Sequence, residues 1–347
     1  MNGQGLRRRL SRLLVTSSAL TATLCAGAGA GIGADAALAA PQAPHVSGGT
    51  IKICQCTTFI AADPNNNTLW LVNGKAKSIS VVSEKTRKVI TTIKLAAQLG
   101  SNSIGNLAVD PTSKTVWDFA GSVLVEISDQ TMKVKHIFKP QSYRSGFAGV
   151  ADPARGEVWV TSEETIQGIS ESTGKVLITL FIADGAKADT IVGLAADPKT
   201  GTVFAEVNKF GGTRTWLVGD NEANGFASVR KFPGSSAGLV VDPSAGTVWV
   251  LKSNVLNGYS ATGKHKSAGS IAISPSRSGG MAADPSTGSI WMASVSGKQL
   301  TRISESQRKV IKTLPLPGRS FGITVDTKSH TVFTLNRLNG VIQFYRY

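Results

Sequence analysis

The chain has 347 residues with 37 Lys and Arg against 22 Asp and Glu, a formal net charge of +15. Glycine is abundant (37) while charged residues make up only 17% of the chain, which excludes a disordered polyelectrolyte and suits a folded, turn-rich protein. Few residues here are equipped for acid–base chemistry: four histidines and three cysteines in all.

In chain order, the first predicted element is an export signal over residues 1–40. A basic start (Arg7, Arg8, Arg9, Arg12) leads into an apolar, alanine-rich stretch, and Ala37 to Ala40 offer a small-residue cleavage site. A membrane anchor is disfavoured by the Gly and Ala of the run and by Asp35. A lipidated Cys25 is disfavoured by Leu24 before it. Cleavage leaves a chain of net charge +12, placed outside the cell or in its envelope, with a short tail over 41–49 and no later stretch apolar enough to span a bilayer. Its cysteines are Cys54 and Cys56. Residues i and i+2 of a strand lie about 6.6 Å apart, so a disulfide requires a local bend. Two buried thiols are the equal alternative.

From residue 50 onward the sequence repeats. A phrase close to A-D-P-x-T-G-x-V-W-V recurs around Asp63, Asp110, Asp152, Asp197, Asp242, Asp284 and Asp326, at spacings of 47, 42, 45, 45, 42 and 42 residues. Seven positions after each aspartate stands an aromatic: Trp70, Trp117, Trp159, Phe204, Trp249, Trp291 and Phe333. Each unit holds four short apolar runs separated by turn residues, as in Gly280–Ala283, Ser289–Ala293, Leu300–Ile303 and Val310–Leu314. Units of this length with four strands are propeller blades. The last unit has room for three strands, and Thr50–Cys56 supplies the fourth, so an all-β, seven-bladed propeller over 50–347 closed by its own two ends is expected. The aspartates read as turn builders whose carboxylates accept backbone N–H bonds, and the aromatics as fillers between blades.

The repeat resembles the YVTN-type secreted propellers, whose blades carry a D-P-x-T-G turn, a V-W-V-x-N strand and a later T-G-K-V segment, matched here at Thr86–Ile93, Thr173–Leu180 and Ser306–Leu314. The resemblance implies the fold and leaves the ligand open, although some members of that family bind DNA.

Catalytic signals are weak. His45, His136, His265 and His330 fall in the tail, an outer strand and two turns, outside the loops that carry propeller ligands. Glu163, Glu164, Asp184 and Asp189 are the only acids suited to a calcium cluster of the lactonase type, and no His/Glu pair matches the lyase type. No cofactor is expected. The charge pattern is more informative. The loops joining second to third strands, and those entering each next blade, form one face. That face carries Lys75, Lys77, Lys139, Arg144, Lys187, Lys209, Arg214, Lys252, Arg277, Lys298, Arg319 and Arg337, with Tyr143 and Phe210 available for stacking. The opposite face is expected to be closer to neutral. A monomeric, non-catalytic propeller engaging an anionic polymer (a cell-wall polymer or nucleic acid) or a protein is the leading reading. A metal-dependent propeller enzyme and a purely structural envelope protein are the alternatives.

Overall fold

A computed structural model describes residues 48–347 apart from 101, 103, 141–147, 163–164, 182–189, 209–213, 221–226, 234–237, 274–277 and 297. The export-signal reading of 1–40 and most of the 41–49 tail therefore lie outside the described residues.

Strand β1 (Gly48–Lys52) comes first. It is followed by β2 (Thr57–Asp63), β3 (Thr68–Asn73), β4 (Ser78–Ser83) and β5 (Val89–Lys94). After a single helical turn, α1 (Ala96–Leu99), come β6 (Leu107–Asp110), β7 (Thr115–Ala120), β8 (Val123–Ser128) and β9 (Val134–Phe138). The third set is β10 (Gly149–Asp152), β11 (Glu157–Ser162), β12 (Thr165–Ser170) and β13 (Val176–Phe181), and the fourth β14 (Thr190–Asp197), β15 (Thr202–Asn208), β16 (Arg214–Asp220) and β17 (Ala227–Pro233). Then follow β18 (Leu239–Asp242), β19 (Thr247–Lys252), β20 (Val255–Ser260) and β21 (Ser267–Ala272). The sixth set is β22 (Ser278–Asp284), β23 (Ser289–Ser294), β24 (Gln299–Ser304) and β25 (Lys309–Pro315). The chain ends with β26 (Gly322–Asp326), β27 (Thr331–Asn336) and β28 (Val341–Arg346).

Each consecutive set of four is one antiparallel sheet, and the last three strands take β1 as their fourth, in the order β1-β28-β27-β26, giving seven four-stranded sheets among the described residues. The first strand of every sheet touches the first strand of the next, and β26 returns to β2, so the sheets form a closed ring. The protein is an all-β propeller. Closure runs through five residue pairs, from Gly48 opposite Tyr345 to Lys52 opposite Val341. The closing strand thus begins two residues earlier than the sequence suggests and stops at Lys52. Cys54 and Cys56 are not in an outer strand: they stand in a turn between β1 and β2 and are joined by a disulfide with Cα atoms 5.1 Å apart. The turn supplies the bend that an i,i+2 bridge needs.

The repeated residues explain the geometry. Each turn aspartate ends a first strand, is almost entirely buried, and accepts the backbone N–H two residues on, as Asp110 does from Thr112 (2.7 Å) and Asp326 from Lys328 (2.8 Å). The fourth residue of each such turn is in the left-handed region, where Gly156, Gly201, Gly246 and Gly288 fit without cost while Asn67, Lys114 and His330 adopt it under strain. The repeated aromatics are buried to 2% exposure or less and pack onto the following sheet. Trp117 lies against Val158, Val160 and Ile169, and Trp249 against Ile290, Met292 and Ile303. Phe333 closes the ring onto Leu69 and Leu71. Seven such clusters, one per seam, form the core.

Candidate polyanion-binding face

Alternating strand direction puts all second-to-third-strand connections, and all connections between sheets, at one end of the ring. The described candidates fall there: Lys75 and Lys77 between β3 and β4, Lys139 after β9, Lys252 at the end of β19, Lys298 between β23 and β24, Arg319 between β25 and β26, and Arg337 between β27 and β28. Lys75, Lys139, Lys298, Arg319 and Arg337 are exposed. The described parts of these connections contain no Asp or Glu. Lys77 donates to the Gly100 carbonyl, and Arg337 stacks over the Phe321 ring at 4.4 Å, a contact that holds its guanidinium in place. Arg214 opens β16, and nothing is described of its side chain. Tyr143, Arg144, Lys187, Lys209, Phe210 and Arg277 lie outside the described residues, as do Glu163, Glu164, Asp184 and Asp189.

Sequence reasoning missed three apolar groups at the same end. Phe59, near the start of β2, is 43% exposed, Leu338 is 60% exposed and Val255 is 37% exposed. Phe59 sits on an inner strand opposite Val72, at the end of β3 where Lys75 follows. Its place after a C-x-C turn, outside the repeated phrase, gave no signal.

The opposite end holds the acids, including all seven turn aspartates, as expected, but they are not on its surface. Its turns carry Lys85, Lys88, Lys114, Lys133, Lys175, Lys199, Lys264, Lys266, Arg308 and Lys328, all exposed, whereas its acids are turned inward. The reason is a set of contacts across the seams. In four sheets the residue that follows the third strand reaches the turn aspartate of the preceding sheet: Glu84 meets Asp326, Asp129 meets Asp63, Glu171 meets Asp110 and Glu305 meets Asp242. Tyr347 takes the equivalent place and donates to Asp284 Oδ2 at 2.6 Å. Burial, reinforced by the neighbouring aspartate, pushes Glu84, Glu171 and Glu305 each up to about 8. In the best-defined pair, Asp242 is drawn below the ordinary carboxylate range. Burial pushes it up, but the bonds from Glu305, Ser244 and Ala245 outweigh that effect. One proton is therefore shared and resides on Glu305. Held near 8, these glutamates are mostly protonated at neutral pH, which removes part of the negative charge from that end, and the loop end is distinguished by its acid-free described loops and exposed apolar groups.

The described histidines stand where the repeat places them, and His45 lies outside the described residues. His136 lies on the outer strand β9 with Nδ1 2.7 Å from Glu126 Oε2, His265 is in the β20–β21 turn, and His330 is in the β26–β27 turn. Among the described residues no three His, Cys, Asp or Glu side chains gather as a metal site would require, and no helix is long and apolar enough to cross a membrane.

No family model and no curated relative matches the chain. Solved structures show the fold. Kuenenia stuttgartiensis hydrazine synthase is similar at 12% identity and a TM-score of 0.70, with 88% of this chain and 98% of that chain covered. The Myceliophteria thermophila Cps50 (Swd1) beta-propeller domain is similar at 10% identity and a TM-score of 0.68, with 87% and 100% covered. At such identities the likeness extends to the propeller architecture alone.

Proposed function

We propose that this protein is an exported, non-catalytic propeller, related to the YVTN-type repeats, that binds an anionic polymer through the loop end bearing Lys75, Lys298, Arg319 and Arg337. The observation that supports it is the acid-free character of the described loops there, beside exposed Phe59 and Leu338, which offer a stacking or apolar contact between cations. A polymer with a repeating negative charge gains affinity by releasing counterions, so binding weakens steeply with salt. The experiment is retention on heparin and on single-stranded DNA as salt is raised. The protein is compared with a variant in which Lys75, Lys298, Arg319 and Arg337 are Gln, and with a second in which Lys114, Lys199, Lys264 and Lys328 are Gln. The first variant is expected to elute at lower salt with a salt slope smaller by roughly three to four, while the second stays near the parent. Equal loss in both, or loss in the second alone, overturns the assignment of the face.

A further inference from the structure

The Cys54–Cys56 disulfide is not absorbed by polyanion binding, and its setting differs from that of a structural cross-link. It spans only one intervening residue, so it removes little entropy from the unfolded chain. The ring is closed independently, by the β1–β28 pairing. The turn itself is anchored by backbone bonds that do not involve sulfur: Ile53 N–H donates to the Gly340 carbonyl at 2.8 Å, Thr57 N–H to the Cys54 carbonyl at 3.1 Å, and Gly74 N–H to the Cys56 carbonyl at 3.0 Å. Cys54 is exposed and Cys56 half-buried, so the disulfide turn lies at the surface and not in the core.

Two features favour thiolate chemistry there. The backbone N–H of Cys56 donates to Cys54 Sγ at 3.1 Å, a bond that strengthens when that sulfur carries a full negative charge. The Gly74 and Gly340 bonds also bring the disulfide turn against the connections that carry Lys75 and Arg337, in loops without a described acid. The net positive field of these connections favours a thiolate, with the Arg337 guanidinium itself held over Phe321.

We propose that Cys54–Cys56 is a surface thiol–disulfide exchange site whose partner is a protein dithiol. A partner thiolate attacks Cys56 Sγ, the Cys54–Cys56 bond breaks, and Cys54 departs as a thiolate held by the Cys56 N–H. The partner's second thiolate then attacks the mixed disulfide and expels the Cys56 thiolate. The partner leaves as a disulfide, oxidised by two electrons that now reside on Cys54 and Cys56; the reverse sequence reoxidises this chain.

The test uses the purified, oxidised protein with dithiothreitol as the dithiol probe and glutathione as the monothiol probe. Alkylation followed by mass analysis of the Cys54–Cys56 peptide is read against circular dichroism. The folded protein is expected to be reduced within about tenfold of the rate of the guanidinium-unfolded chain, with its strand signal intact. Folded-state protection greater than about tenfold, or unfolding on reduction, overturns the proposal. Cys54→Ser, whose ring still closes through β1, is expected on treatment with oxidised glutathione to accumulate a glutathione adduct on Cys56, with one glutathione thiolate released, and absence of the adduct counts against the site. Lys75→Gln with Arg337→Gln is expected to slow reduction several-fold in low salt and to leave it unchanged in high salt; an equal rate at both removes the electrostatic part of the argument.

Discussion

Replacing Glu305 by Gln should flatten the pH dependence of stability by one proton. Glu305 is 8% exposed and Asp242 fully buried. Trp249 Nε1 donates to Glu305 Oε2 at 2.7 Å, and Asp242 Oδ1 accepts the Ser244 and Ala245 N–H groups at 2.7 and 3.1 Å. Each carboxyl keeps one buried oxygen, Glu305 Oε1 and Asp242 Oδ2, that no other side chain or backbone donor reaches. A proton between the two carboxyls satisfies both. Glu305 titrates near 8 in the folded ring and near 4.5 when unfolded. Between those values the folded state holds a proton that the unfolded state has lost, so stability falls as pH rises. The contribution is complete below about pH 4.5 and gone above about pH 8, with a slope of about 1.4 kcal/mol per pH unit in between. For a ring of this size that is about 2 °C of Tm per pH unit. Gln keeps the shape, donates to Asp242 with its amide and still accepts from Trp249, with nothing to titrate. Thermal unfolding at constant ionic strength from pH 5 to pH 9 is the assay. E305Q is expected to gain on the parent steadily as pH rises, and Glu84→Gln and Glu171→Gln to add similar increments. A curve for E305Q that runs parallel to the parent across this range would refute proton sharing at the seam.

Trp117→Ala opens a cavity against Val158, Val160 and Ile169 and removes the stacking with Phe138 at 5.9 Å. It should cost about 3–5 kcal/mol, lowering Tm by roughly 5–8 °C in a calorimetric scan. Lys114→Gly relieves a left-handed residue (φ 56°) in the turn that Gly156, Gly246 and Gly288 occupy elsewhere, and should stabilise by up to about 1 kcal/mol in chemical denaturation. Ile51→Lys places a charge in the seam between Ile342, Leu335 and Leu69. It should free the β28 edge and promote concentration-dependent association, seen by light scattering.

The fold was legible because it is written seven times. A buried Asp and a following aromatic recur in each unit, and their roles depend only on neighbours inside the turn and across one seam. The site was less legible. Sorting cations by loop placed Lys75, Lys298, Arg319 and Arg337 correctly at one end, but counting charges by end treated buried and exposed acids alike. Glu84, Glu171 and Glu305 each follow a serine at the close of a third strand (Ser83, Ser170, Ser304), a repeat visible in sequence. What the repeat does not reveal is that their side chains turn across the seam, because that depends on how neighbouring sheets are staggered. The placement of Cys54 and Cys56 in the closing strand failed for a similar reason: a strand was expected through Cys56, while the chain leaves the sheet after Lys52 to enter the next one.

These two readings bear on one another. A propeller with ionised acids on its surface would carry countercharges between its lysines and hold a polyanion less firmly. Here the acids serve as seam contacts: three glutamates are pushed up to about 8 by burial beside turn aspartates, Asp129 lies against Asp63, and these carboxyls are buried or half-buried. The cations that remain outside are consequently less compensated than the formal charge of +15 suggests. Seam chemistry and surface potential are thus coupled through the same carboxyls. As pH rises through about 8 the glutamates ionise, the seams weaken by like-charge repulsion, and the surface loses part of its positive excess. Ring stability should therefore decline over this interval, while polyanion retention, which rests on the loop end with its acid-free described connections, should hold for as long as the ring stays folded.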